Sequence, residues 1–187
     1  MNKSMKKTLL SLTCVAIAMA GYAHHKGLVL SAEMPVAATL PAVQQTSSVF
    51  EGNLAPDFVL KDLNGQDLSL SSLRGKYVVI DFWGSWCGWC IKGMPEMKKY
   101  YEKYADRMEI LGIDCGDTEQ QWKDAVTKHQ LPWKHVYNPR ESKLLAAYGI
   151  EGFPTKMVID PQGKIVKIVI GEDPAFYTFL DQLFAAQ

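Results

Sequence analysis

The chain has 187 residues, 20 Lys and Arg against 20 Asp and Glu, and 48% hydrophobic content. That length suits one globular domain with a modest remainder, and the balanced charge with 11% aromatics excludes a disordered, fibrous or nucleic-acid-binding chain. Four Cys are too few for a disulfide-rich scaffold, which leaves their chemistry as the question.

Residues 1–23 read as a secretory signal peptide. Lys3, Lys6 and Lys7 form a basic start, Leu9 to Met19 an apolar core, and Ala18-Met19-Ala20 or Gly21-Tyr22-Ala23 the cleavage signal. Membrane attachment would require this segment to stay uncleaved, and its apolar run is about half of the roughly 20 residues that a span needs. Thr13 before Cys14 does not suit a lipoprotein signal. Removal takes three Lys and no acid, leaving 17 basic against 20 acidic residues, a net −3. Export also implies a periplasmic or other extracytoplasmic compartment, where disulfides persist. Cys87, Cys90 and Cys115 then remain, an odd number.

Residues 24–53, rich in Ala, Pro, Ser, Thr and Gln, read as a flexible linker, and 54–187 as the folded domain. Asp57–Leu60 and Asp67–Leu70 flank Asn64-Gly65, a hairpin signal. Tyr77–Phe82 is an apolar run of the kind buried on both faces of a parallel sheet. A helix is expected over 87–104, kinked at Pro95, then a strand over 108–113. The next helix, 118–129, opens on a capping box of Thr118 and Gln121. A short helix over 142–148 ends at Gly149, strands 155–160 and 164–170 form a hairpin, and a helix covers 174–185. This order predicts an α/β fold, a mixed central sheet flanked by helices with an N-terminal β-hairpin extension.

The stretch Trp86-Cys87-Gly88-Trp89-Cys90 follows a strand and opens a helix. Unpaired N–H groups and the helix dipole there stabilise the Cys87 thiolate, the attacking species. Cys90, one turn on, can close a disulfide with Cys87. Cys87 is expected to attack a partner disulfide and Cys90 to resolve the mixed disulfide. Zinc would need a second ligand pair and covalent haem a His at position 91, where Ile stands. No metal and no cofactor are therefore expected; a structural disulfide remains an alternative.

Asp81 interrupts an apolar strand six positions before Cys87. Either it lies at a water-exposed strand end, or burial raises its pKa and fits it to exchange a proton with Cys90. Phe153-Pro154 precedes a strand; on physical grounds alone the peptide bond is expected to be trans. Were it cis, the turn would leave the Phe153 backbone free to pair with an extended substrate. Cys115 reads as a small, partly buried residue with no chemistry, with a second redox thiol as the alternative. Trp83 and Trp86 are expected to shape the rim, Trp122 and Trp133 to pack elsewhere, and His24-His25 to be a solvated tail.

Val79-Ile80-Asp81-Phe82-Trp83-Gly84-Ser85-Trp86-Cys87-Gly88-Trp89-Cys90, Pro95 and Gly152-Phe153-Pro154-Thr155 resemble the thioredoxin superfamily. The hairpin led by Ala55-Pro56-Asp57-Phe58 and the export signal are similar to its TlpA/ResA-like extracytoplasmic branch. The resemblance, over 54–187, implies a thioredoxin-like fold with Cys87 exposed, Cys90 resolving, Asp81 the buried acid and Pro154 cis. Trp86, Gly88, Trp89, Phe153 and Pro154 become the expected substrate-binding residues.

Three departures stand out. Trp89 replaces the usual Pro of the thioredoxin dipeptide. Gly93 stands where the ResA-like branch often has Glu, which throws any acid–base role onto Asp81. The Lys that pairs with the buried Asp in thioredoxin lacks a counterpart on the strand at 108–112.

The function expected is an exported protein-disulfide reductase. Its partners would be disulfide-bearing or dithiol client proteins and an upstream electron-donor protein. The alternatives are a disulfide oxidase or isomerase of the same fold, a peroxiredoxin-like peroxidase, and a non-enzymatic binding module.

Overall fold

The computed structural model describes residues 49–185. The expected signal peptide, the His24-His25 tail and most of the expected linker lie outside these residues. The order is β1 (Val59–Asp62), β2 (Asp67–Ser69), a 3-10 turn (Leu70–Leu73), β3 (Tyr77–Trp83), α1 (Gly88–Lys103), β4 (Met108–Cys115), α2 (Glu119–Lys128), β5 (Lys134–Asn138), α3 (Leu144–Ala147), β6 (Thr155–Ile159), β7 (Ile165–Ile170) and α4 (Pro174–Ala185).

One seven-stranded sheet runs in the order β2-β1-β5-β4-β3-β6-β7. The three inner strands β3, β4 and β5 are parallel, while β1, β2, β6 and β7 join antiparallel. The mixed sheet, the flanking helices and the N-terminal hairpin agree with the sequence reading.

β3 is central, and Val79, Ile80 and Phe82 are wholly buried in it. Each such side chain contributes roughly 1.5–3 kcal/mol of transfer free energy. Its alternation divides the core in two. Val79 and Trp83 join Met94 and Met97 of α1, Trp122 of α2, and Phe176, Leu180 and Phe184 of α4. Val78, Ile80 and Phe82 face Ala55, Leu70, Val136, Leu144 and Tyr148 on the other side.

Two sequence expectations are corrected. β5 had no counterpart in the sequence reading: Lys134-His135-Val136-Tyr137-Asn138 mixes polar and apolar residues, and its pairing with β4 and β1 makes it a strand. The linker does not reach residue 53. The Gly52 amide donates to the Ile165 carbonyl (2.7 Å), the Ile165 amide to the Asn53 carbonyl (2.8 Å), and Leu54 bridges Lys164. Helix α1 runs over Gly88–Lys103 with Pro95 inside it, close to the expected span.

Tyr148 fixes the second core layer. Its ring packs on Phe58 and Phe82, at 5.9 and 5.5 Å between centroids, and its hydroxyl donates to the Pro56 carbonyl. Tyr148→Phe keeps the packing and strips a carbonyl of its donor. The expected loss is about 1–2 kcal/mol in urea unfolding, with an unchanged m-value; no loss would show that water replaces the hydroxyl.

Candidate active site

β3 ends at Trp83, and Gly84-Ser85-Trp86 carry the chain to Cys87, which caps α1. Gly84 is required by close approach: a Cβ there would stand 2.9 Å from the Cys115 carbonyl and overlap the Trp86 indole. The loop after β4 holds this segment. Trp86 Nε1 donates to the Cys115 carbonyl (2.8 Å), and the Ser85 amide and hydroxyl both donate to the Asp117 carboxylate at 2.7 Å.

Cys87 and Cys90 are joined in a disulfide, with Cα atoms 5.2 Å apart. The Cys90 amide donates to Cys87 Sγ at 3.1 Å, so a free N–H of the first turn points at that sulfur. The expectation that Cys87 is the exposed sulfur is corrected: both cysteines are 5% exposed. What reaches solvent is the rim, with Trp86 57% and Trp89 60% exposed and Gly88 also open. Accessibility thus does not separate the two cysteines, whereas the position of Cys87 at the helix cap does.

The Phe153–Pro154 bond is cis, as the resemblance implies and against the bare X–Pro preference. The Phe153 ring meets the Trp86 indole edge-on at 5.2 Å, which brings the cis-proline segment against the residue before Cys87.

Asp81 lies mid-strand and buried, so the exposed-end reading is excluded. It has the parity of Val79 and Trp83 on β3, placing it on the α1 side of the sheet, the layer that holds Cys90. Burial pushes its carboxyl above the ordinary carboxylate range; Lys156 opposes this and Glu172 adds to it.

The cation missing from β4 comes from the other neighbour. Asp81 pairs in register with Gly112 of β4 and with Lys156 of β6, and Lys156 is buried. Lys156 Nζ lies 2.6 Å from Glu172 Oε2, and the Tyr177 hydroxyl donates to Glu172 Oε1 at 2.6 Å. A Cβ on Gly93 would overlap the Glu172 carboxylate. The space left by the missing Glu side chain at position 93 therefore holds a carboxylate from the β7–α4 connection. Sequence reasoning missed both residues. Lys156 carried the signal that Asp81 did, a charge inside an apolar strand; Glu172 carried none.

Cys115 is free and buried; its Sγ lies 3.4 Å from the Ile113 carbonyl, and burial pushes its thiol up. That is the thiol of a packed residue. Trp83 is buried against His135 at 5.9 Å, so of the two expected rim tryptophans only Trp86 is exposed.

A family model described as AhpC/TSA family matches residues 52–168. The chain belongs to that family. The thiol-disulfide oxidoreductase ResA of Bacillus thuringiensis is 38% identical over 122 residues, spanning 65% of this chain and 70% of that protein. The thioredoxin domain of a thiol-disulfide oxidoreductase from Bacteroides vulgatus superposes with a TM-score of 0.65 at 34% identity, covering 71% of this chain and 96% of that one. A thiol:disulfide interchange protein from Bacteroides sp. gives 0.66 at 32% identity, covering 72% and 90%. The fold is thioredoxin-like and the activity is that of a thiol–disulfide oxidoreductase.

Asp114, at the end of β4, is wholly buried. Burial first, and the neighbouring Asp117 second, push it up to about 8. An Asp raised in the folded state favours folding while it is protonated and opposes it as pH rises to that value. Asp114→Asn removes the titration. The unfolding free energy of the variant relative to wild type is expected to climb between about pH 4 and pH 8 and then level, with an upper bound of a few kcal/mol, as read by urea unfolding across that range. A pH-independent difference would place the Asp114 proton elsewhere.

Proposed function

We propose that this protein acts outside the cytoplasm and reduces disulfides of other proteins, with Cys87 as nucleophile, Cys90 as resolving thiol and Asp81 as proton acceptor. The observation that carries this reading is the Cys90 amide directed at Cys87 Sγ across the helix cap, with the buried Asp81 in the same core layer. The Cys87 thiolate attacks one sulfur of a client disulfide. A mixed disulfide forms and the client's other sulfur leaves as thiolate. Asp81 accepts the Cys90 proton, and the Cys90 sulfur then attacks Cys87 Sγ. The client's second sulfur leaves, and the Cys87–Cys90 disulfide remains. The client has gained the two electrons of the dithiol, which an upstream dithiol protein must restore.

Trp86, Gly88 and Trp89 offer the client a half-apolar rim, and the Phe153 main chain before cis-Pro154 offers an extended segment a backbone to pair with. The reductive direction is supported by the site's charge. An oxidant needs a strongly stabilised thiolate, which a cation beside the sulfur would supply. The dipeptide is Gly-Trp, without His, and the buried Lys156 is bound to Glu172. Extracytoplasmic action is supported by the basic-then-apolar start of the sequence.

The Cys87–Cys90 couple is expected at roughly −220 mV or lower when equilibrated with glutathione, against about −120 mV for a strong oxidant. A value near the latter would reverse the direction. Cys87→Ser is expected to abolish disulfide reduction. Cys90→Ser is expected to trap clients on Cys87, and recovery of trapped clients from Cys87→Ser instead would exchange the two roles. Peroxide turnover without a dithiol partner would favour the peroxidase.

A further inference from the structure

We propose that Glu172 is a positioning residue for the dithiol site: by holding Lys156 it withdraws from Asp81 the cation that the adjacent strand places beside it. The inference rests on the reading of Asp81 as the acceptor of the Cys90 proton, and adds the residue that keeps Asp81 fit for that work.

Three ionisable side chains share one buried space. Asp81 and Lys156 are register partners across β3 and β6, both buried, and the side chain of Glu172 is 13% exposed. Two carboxylates and one ammonium carry a net charge of −1 when all are ionised, and an uncompensated charge out of water is costly. One carboxylate must therefore bind a proton more readily than it would in water. The hydrogen bonds decide which. Glu172 receives Lys156 on Oε2 and the Tyr177 hydroxyl on Oε1, whereas Asp81 Oδ1 has no hydrogen-bond partner among the described residues. Glu172 holds the charge and Asp81 takes the proton, in agreement with the upward displacement of the Asp81 carboxyl by burial and by Glu172.

This assignment has a kinetic meaning. A base whose proton affinity lies nearer the working pH takes the Cys90 proton more effectively than a carboxylate neutralised by an ammonium. Gly93 is part of the device, because only a residue without Cβ leaves room for the Glu172 carboxylate beside α1. The other titratable groups around the cluster are Cys87 and Cys90 at the start of α1, Glu96 later in α1, Tyr177 on α4, and Cys115 on β4 with Asp114 beside it. Cys115 and Tyr177 both feel Asp81, and burial pushes both upward, so they stay neutral through the range in which Asp81 titrates.

Two variants disturb the device by different routes. Glu172→Gln keeps the shape and the acceptor for Tyr177 and removes the charge. Gly93→Ala leaves Glu172 intact and displaces its carboxylate. The test is a carboxyl-carbon NMR titration of Asp81 in the full-length oxidised protein, beside the pH profile of mixed-disulfide resolution. In both variants Lys156 is released to Asp81. The Asp81 midpoint is expected to fall by one pH unit or more, a tenfold loss of proton affinity, with slower resolution at neutral pH. An Asp81 midpoint unmoved in folded Glu172→Gln and Gly93→Ala overturns the inference, as does failure of both variants to fold, which would make the cluster purely structural. Asp81→Asn separates this failure from that of the parent reading. If Asp81→Asn leaves resolution and its pH profile unchanged, Asp81 is not the acceptor. If it slows resolution while the other two variants leave the midpoint in place, only the role of Glu172 fails.

Discussion

The passage from β3 into α1 is the constraint on which the rest of the molecule depends. A strand buried on both faces can present nothing to solvent along its length, so reactive groups must stand where it ends. Here it ends just before a helix begins, and the first turn of that helix aims the Cys90 N–H at the Cys87 sulfur. The surrounding elements hold the passage still. The loop after β4 grips Ser85 and Trp86, the cis-proline turn sets Phe153 against Trp86, and α4 closes over the helix from the far side.

The second theme is charge inside the sheet. Asp81, Lys156 and Glu172 are all kept from water, and such a cluster is weak support for stability, since its desolvation offsets much of the mutual attraction. Under the proposed function its value lies in chemistry. A proton acceptor beside a disulfide must lie close to the dithiol yet not be neutralised by a neighbouring cation. In the proposed mechanism, the cation on β6 and its carboxylate partner on the β7–α4 connection meet both needs.

Much of this was legible in the sequence, for physical reasons that differ from element to element. The run at 77–82, the Thr118–Gln121 capping box and the hairpin around Asn64-Gly65 each carry a local signal strong enough to survive folding. β5 had none, because its residues become a strand only through neighbours far away in sequence. The paired cysteines were visible as a spacing and Asp81 as a misplaced charge. Lys156 was as visible as Asp81. Glu172 was not, since the space it fills is defined by an atom that Gly93 lacks. The expectation of an exposed Cys87 was not met: Cys87 is buried, while its neighbours Trp86 and Gly88 are open to solvent.

The hydrogen bonds that tie residues 51–54 to β7 bear on how the molecule behaves among copies of itself. β7 is an outermost strand, and an outermost strand with open amides and carbonyls invites another chain to continue the ladder. Gly52 and Asn53 occupy Ile165, Leu54 bridges Lys164, and the Glu51 carboxylate accepts the Ile168 amide while pairing with Lys167 at 3.5 Å. The opposite border, β2, is only three residues long. Both margins of the sheet are thus closed to strand-to-strand aggregation by the segment that leads into the domain and by sheer shortness.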